Sequence, residues 1–213
     1  MHGLYAITPT FEQCASDRWL MAQTRALLTG GVRYIQLRDK SCDQPRRLKV
    51  AKALRALCAE HEAHLLINDD WALAQASGAH GVHLGQGDGS PADARAALGK
   101  HALIGRTCHD SEQLAADAVA QGASYLAFGR FYPSRTKPHA RPATPALLTR
   151  AKARFNPPLV AIGGVNLDNA EPLIRAGADA LALCQGLYGS SEPESVARAF
   201  TLLFSVTHKQ DTP

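Results

Sequence analysis

His64-Leu65-Leu66-Ile67-Asn68-Asp69 and Gly81-Val82-His83-Leu84-Gly85-Gln86-Gly87-Asp88 decide the reading of this chain. Each is a short apolar run that ends in polar groups, and Gly78-Ala79 stands just before the second. Continuous apolarity, as opposed to alternation, marks a strand covered on both faces, as in a parallel sheet. If the two runs are parallel neighbours, Asp69 and Asp88 emerge at the same end of one sheet. Two carboxylates converging there, with lysines and arginines nearby, suit a divalent cation that holds a polyphosphate.

The same pattern recurs along the chain. Apolar runs lie at residues 4–8, 32–38, 64–69, 81–84, 102–107, 125–129, 159–163 and 180–184. Helical patterns lie at 17–28, with Asp17 as a candidate N-cap, and at 44–60, where Leu48, Ala51, Leu54 and Leu57 form a stripe. Others open at Ser111 and stop at Gly122, run over 168–175 and stop at Gly177, and span 193–204. Gly30-Gly31, Gly78-Ala79, Gly122-Ala123 and Gly177-Ala178 each precede a strand, so one unit of helix, glycine stop and strand is used repeatedly. Eight such units predict a closed (β/α)₈ barrel, a TIM barrel with an eight-stranded parallel sheet, in one domain over residues 1–213 with a frayed tail from 207. A doubly wound open sheet is the alternative. It would usually carry a glycine-rich dinucleotide loop after its first strand, and Thr8-Pro9-Thr10-Phe11 is not one.

Composition fits a folded globular protein. The chain has 213 residues, 46% hydrophobic and 20% charged, enough to bury a core without cross-links. The net charge of +4 is mild, and no run of Lys and Arg points to nucleic acid. Cys14, Cys42, Cys58, Cys108 and Cys184 are odd in number and form no C-x-x-C pair, which reads as reduced thiols in a cytoplasm. The first residues, Met-His-Gly-Leu-Tyr-Ala-Ile-Thr, are expected to enter a strand and not to form a signal peptide, and no apolar stretch approaches a membrane span of about 20 residues. The partners expected are small molecules, and a homo-oligomer is compatible with the sequence.

In a barrel the functional face is the C-terminal end of the strands. The residues after the predicted strands are Gln36-Leu37-Arg38-Asp39-Lys40, Asn68-Asp69, Gln86 and Asp88, Thr107-Cys108-His109, Ser134-Arg135-Thr136-Lys137, Gly163-Gly164, and Gln185-Gly186. Arg38 and Lys40 have period-two spacing and would share a side if the strand continued; both are anion-binding types. The bland alternative pairs them with acids such as Asp39. Asp69 and Asp88 suit Mg²⁺, which takes carboxylate, water and phosphate oxygens, although aspartates here, Asp70 and Asp88 among them, also read as helix caps. Gly163-Gly164 would let backbone amides approach a phosphate. Lys137 sits in the long 130–144 loop, read as a lid that could reach the same anion. His109 is a candidate base, and His83, inside an apolar strand, reads as a hydrogen-bonded core histidine.

Taken in order, Gly-Leu-Tyr-Ala-Ile-Thr at 3–8, Gln-Leu-Arg-Asp-Lys at 36–40, Leu-Ile-Asn-Asp at 66–69, Gly-Val-His-Leu-Gly-Gln at 81–86, Phe-Gly-Arg-Phe at 128–131, Ser-Arg-Thr-Lys at 134–137 and Ala-Ile-Gly-Gly at 161–164 resemble the thiamine-phosphate synthase family over nearly the whole chain. The resemblance implies a (β/α)₈ transferase that joins hydroxymethylpyrimidine diphosphate to thiazole phosphate, giving thiamine phosphate and pyrophosphate. It implies that Gln36, Arg38, Lys40, Asn68, Thr107 and Lys137 hold the pyrimidine diphosphate, with Arg38, Lys40 and Lys137 neutralising the leaving group. It implies that Asp69 and Asp88 bind Mg²⁺, and that Ser134, Arg135, Thr136 and Gly164, with Cys184-Gln185, form the thiazole-phosphate site. Departures from the family pattern are Asp39, Arg130, Arg135 and Gln185. A thiazole tautomerase, with His109 as its base, and a non-catalytic phosphate-ligand sensor are the alternatives on the same barrel.

Overall fold

Eight strands hydrogen-bond in sequence order, and the last returns to the first, so the sheet closes. In the computed structural model, which describes residues 1–41, 43–133 and 142–210 (the last three by backbone only), these are β1 Gly3–Ile7, β2 Tyr34–Leu37, β3 His64–Asn68, β4 Gly81–Leu84, β5 Leu103–His109, β6 Tyr125–Phe128, β7 Leu159–Ile162 and β8 Ala180–Leu183. Every neighbouring pair is parallel, and closure runs through Gly3–Ala6 beside Ala180–Leu183. The closed barrel is therefore correct and the open doubly wound sheet is not.

The helices are α1 Asp17–Thr29, α2 Gln44–Glu60, α3 Trp71–Ser77, α4 Pro91–Leu98, α5 Glu112–Ala120, α6 Pro145–Arg154, α7 Glu171–Arg175, α8 Gln185–Tyr188 and α9 Pro193–Gln210. α3, α4, α6 and α8 carry no predicted helix. They are short, and α4 and α6 begin on a proline, which suits the first helical turn. α1 is capped by Ser16, whose hydroxyl accepts from Trp19 N at 3.0 Å; Asp17, the predicted cap, is the first helical residue and pairs with Arg46. α9 continues past the predicted start of the tail, and Thr207 is buried, its hydroxyl donating to the Leu203 carbonyl.

Alternation along each strand divides the core into two layers. Leu4, Ala6, Ile35, Leu37, Leu65 and Ile67 face outward and pack on helices. Tyr5, Ile7, Leu66, Tyr125, Ala127, Val160, Ala180 and Ala182 fill the barrel interior. The interior carries polar side chains as well: Gln36 is buried, and both nitrogens of His83 are hydrogen-bonded. Large and small residues complement each other across this interior. A Cβ on Gly105 would stand 2.0 Å from Tyr125 Cζ.

One buried carboxylate fixes the chain beyond β2. Asp39 accepts from Phe11 N at 2.9 Å and Ser41 N at 3.0 Å, and from the Ser41 hydroxyl. It is not a surface acid for Arg38 and Lys40. Burial pushes its carboxyl up, but these donors and the Arg47 charge outweigh that and hold it below the usual carboxylate range.

Two outcomes follow. Gly105→Ala must displace the Tyr125 ring, so the melting temperature should fall by roughly 3–10 °C; an unchanged transition would mean that the ring yields at no cost. Asp39 has a lowered folded-state pKa, so its contribution to stability is present above the ordinary carboxylate range and is lost as pH falls through the folded value. Asp39→Asn should therefore lower the urea midpoint at pH 7, and the gap from the wild type should close on titration toward pH 3. A gap that stays constant over that range would remove this role.

Candidate active site

At the C-terminal rim, Lys40, Asn68, Asp69 and Asp88 line one cleft of about 370 Å³, together with Asp39, Ser41, Arg47, Asp70, Trp71 and Ala72. That volume is within the range for small-molecule sites. Asp69 follows β3 with φ 65°, in the left-handed region, and its carboxylate takes a hydrogen bond from Asn68 Nδ2 at 2.6 Å and an ion pair from Lys40 Nζ at 3.3 Å. Asp88 closes the turn after β4, accepting from Gly85 N at 3.0 Å. A Cβ on Gly85 would stand 2.5 Å from Asp88 Oδ2, so a side chain there would push the Asp88 carboxylate aside.

The two carboxyls are hydrogen-bonding neighbours. Burial, and then the Asp69 carboxylate beside it, push Asp88 above the usual carboxylate range, against the Gly85 amide and the Lys40 charge. Neither residue caps a helix. Asp70 caps α3 by accepting from Leu73 N at 2.8 Å, and Ser90 caps α4 by accepting from Asp93 N at 3.1 Å. The capping alternative therefore belongs to their neighbours. Two adjacent carboxylates that repel each other, with space beside them, fit a cation that takes one or two carboxylates and fills its remaining positions with water and phosphate oxygens. Among the described residues no three His, Cys, Asp or Glu side chains cluster as an all-protein cage.

Two arginines that sequence reasoning missed hold the loops carrying these carboxylates. Arg47 of α2 is buried and pairs with Asp70 at 3.2 Å. Arg106 of β5 donates to the carbonyls of Gly85 at 2.8 Å and Gly89 at 2.6 Å, which ties down the turn containing Asp88. Each left a signal in the sequence. Arg47 falls on the helical stripe with Val50, Ala51 and Leu54, and Arg106 shares the outward face of β5 with buried Ile104; a lone cation on an apolar face implies a specific partner.

The other predicted residues take separate places. Gln36 ends β2 inside the barrel and donates through Nε2 to the Tyr5 hydroxyl. Thr107 on β5 bonds His83 Nε2 through its hydroxyl at 2.9 Å. β2 ends at Leu37, so the period-two argument for Arg38 and Lys40 does not apply. Lys40 lines the cleft and Arg38 does not; Arg38 instead opposes, through its charge, the burial that pushes the Cys184 thiol up. Gly163 and Gly164 have φ 104° and 65°, and a Cβ on Gly164 would stand 2.4 Å from the Pro133 carbonyl oxygen, so the loop after β7 requires glycine. Cys184 precedes α8 and Gln185 opens it. His109 ends β5 with φ 51° and does not line the cleft. Ser134, Arg135, Thr136 and Lys137 lie outside the described residues. Cys14, Cys58, Cys108 and Cys184 are free thiols, and among the described residues no helix is long and apolar enough to cross a membrane.

Comparison with known proteins gives one answer. A family model described as thiamine monophosphate synthase matches residues 4–187. Thiamine-phosphate synthase of Thioalkalivibrio sulfidiphilus is 50% identical over 206 residues, which is 97% of each chain. That of Marinobacter nauticus is 52% identical over 208 residues, 97% of this chain and 92% of the relative. The solved structure of thiamine phosphate pyrophosphorylase from Pyrococcus furiosus superimposes with a TM-score of 0.86 at 27% identity, covering 96% of both chains. With a closed eight-stranded barrel, a carboxylate pair at its rim and relatives matched over nearly their full length, this chain belongs to the thiamine monophosphate synthase family.

Proposed function

We propose that the chain is a Mg²⁺-dependent transferase in which Asp69 and Asp88 hold the cation against the diphosphate of the pyrimidine substrate. The family reaction joins hydroxymethylpyrimidine diphosphate to thiazole phosphate and releases pyrophosphate. The observation that carries the metal assignment is the contact between the two carboxyls, with helix capping left to Asp70 and Ser90. When bound, Mg²⁺ would supply positive charge to the leaving diphosphate.

The protein residues bind, orient and exclude water. Lys40 is a mostly exposed cation, 64% accessible, so its pairing with Asp69 is weak enough to be exchanged for a phosphate oxygen. Arg38 and Lys137 add charge for the same leaving group on this reading. Asn68 orients Asp69, while Gln36 and Thr107 hold the pyrimidine ring. On this reading Gly164 offers its backbone to the thiazole phosphate, and Ser134, Arg135, Thr136, Cys184 and Gln185 are assigned to the same substrate. The C–O bond to the diphosphate breaks first, and the electron pair leaves with pyrophosphate. The aminopyrimidine stabilises the resulting methylene cation, and the thiazole nitrogen captures it. Such a reaction asks for charge binding and positioning more than for proton transfer. In support, the described residues lining the cleft include carboxylates and cations and no histidine. The enzyme acts on these two small molecules, and its free thiols suit a cytoplasm.

Pyrophosphate release from the two purified substrates should require Mg²⁺, stop with EDTA and return when Mg²⁺ is restored. Asp69→Ala or Asp88→Ala should lower turnover by about 100-fold or more with the circular dichroism spectrum unchanged. Wild-type turnover in either variant would remove the metal assignment.

A further inference from the structure

Five side chains from five strands form one hydrogen-bonded line through the barrel interior. Gln36 Nε2 of β2 donates to the Tyr5 hydroxyl of β1. Tyr5 meets the Tyr125 hydroxyl of β6 at 3.0 Å, Tyr125 meets His83 Nδ1 of β4 at 2.9 Å, and His83 Nε2 meets the Thr107 hydroxyl of β5 at 2.9 Å. Packing holds the line in place: the Tyr125 and His83 rings stack at 5.6 Å, and Tyr5 stands edge-on to Tyr125 at 6.0 Å. Both phenols are fully buried, and burial pushes their ionisation far up, so each remains a neutral hydroxyl with one proton to donate.

A chain with one proton per link can run in only two directions. Gln36 donates to Tyr5, so the Tyr5 proton points to Tyr125 and the Tyr125 proton points to His83 Nδ1. A neutral His83 then carries its proton on Nε2 and donates to Thr107, whose own proton is directed outward. The opposite direction would reverse both ends at once: Gln36 would turn its amide nitrogen outward, and the Thr107 hydroxyl would become an outward acceptor. The donor or acceptor character of Gln36 is thus linked to that of Thr107.

We propose that Tyr5, Tyr125 and His83 are a directional relay that fixes Gln36 Oε1 as an acceptor and the Thr107 hydroxyl as a donor, and so selects a 4-aminopyrimidine over a 4-oxopyrimidine. The proposal rests on the reading of Gln36 and Thr107 as ring-holding residues. An aminopyrimidine presents an N–H donor from its exocyclic amine and acceptors at its ring nitrogens. The oxo form presents an acceptor and a ring N–H instead, so both protein groups would face a like partner. Such mispairing discriminates strongly only if the protein groups cannot turn over. The three relay residues act through Gln36 and Thr107, as positioning residues.

The test compares the 4-amino and 4-oxo pyrimidine methyl monophosphates, which lack the diphosphate leaving group, as competitive inhibitors. In Tyr5→Phe and Tyr125→Phe the preference for the amino compound should fall about tenfold, with the KM for thiazole phosphate unchanged. An unchanged preference in both folded variants overturns the relay. Gln36→Ala and Thr107→Ala separate this from the underlying reading. If neither weakens the amino inhibitor, the ring assignment fails; if they do and the tyrosine variants keep their preference, only the relay fails. A measurement on the wild-type protein decides the direction even if a variant does not fold. In ¹⁵N spectra, with His83 assigned by its loss in His83→Gln, the ring should be the neutral tautomer protonated at Nε2. A proton on Nδ1, or an imidazolium at neutral pH, overturns the proposal.

Discussion

Closure of the sheet is the constraint from which the site follows. β1 is hydrogen-bonded to both β2 and β8, so the strand ends form a ring and not a line. Laid along an open edge, Gln36, Asn68, Asp88, Thr107 and Gly164 would be spread over the width of the sheet. Around a ring, Asn68, Asp69 and Asp88 meet in one cleft, while Gln36 and Thr107 join one hydrogen-bonded line inside the barrel. Closure also dictates the interior, because a cylinder of this size must be filled by side chains. Two tyrosines are accommodated only because Ala127, Ala180, Ala182 and Gly105 are small. The space that admits the phenols also forces their hydroxyls to find partners, and those partners are the polar groups of the neighbouring strands.

Magnitudes indicate which ionic contacts hold the rim in shape. The Lys40–Asp69 pair is exposed on the lysine side, and pairs of that kind contribute about 0–1 kcal/mol. Arg47 is 10% exposed in its pair with Asp70. Removing one partner from a buried pair costs about 3–5 kcal/mol, less where, as at Asp70, one side meets solvent. The backbone of the rim therefore depends on Arg47 and Arg106, while Lys40 is available to a ligand. The division is useful, since the loops stay put while the Lys40 charge is only weakly held.

The barrel was legible in the sequence because its strands are covered on both faces, which leaves uninterrupted apolar runs; the run at 81–84 coincides with β4. Helices with a wide apolar stripe, such as α2, were equally plain. α3 and α4 were not, since seven or eight residues barely complete two turns and give no period to read. Asp69 and Asp88 were found from their position after strands, and Asn68, Asp69 and Asp88 do meet. The arrangement of Arg38 and Lys40 was misjudged because β2 stops one residue earlier than the apolar run suggests. The Tyr5–Tyr125 contact joins residues 120 apart, and no local pattern carries that information. Asp39 was read as a possible acid partner for Arg38 and Lys40, yet it is the clamp that shapes the loop bearing Lys40.

Asp69 adopts a left-handed backbone at φ 65°. Aspartate and asparagine tolerate that region, whereas other side chains with a Cβ pay about 1–3 kcal/mol there. Glutamate carries the same carboxylate and is an equally competent ligand for a hard cation. It is nevertheless disfavoured at this position, for a reason unrelated to metal chemistry. The range of residues acceptable at 69 is thus set twice, once by the charge that the cleft requires and once by the turn of the main chain. Aspartate is the residue that meets both requirements.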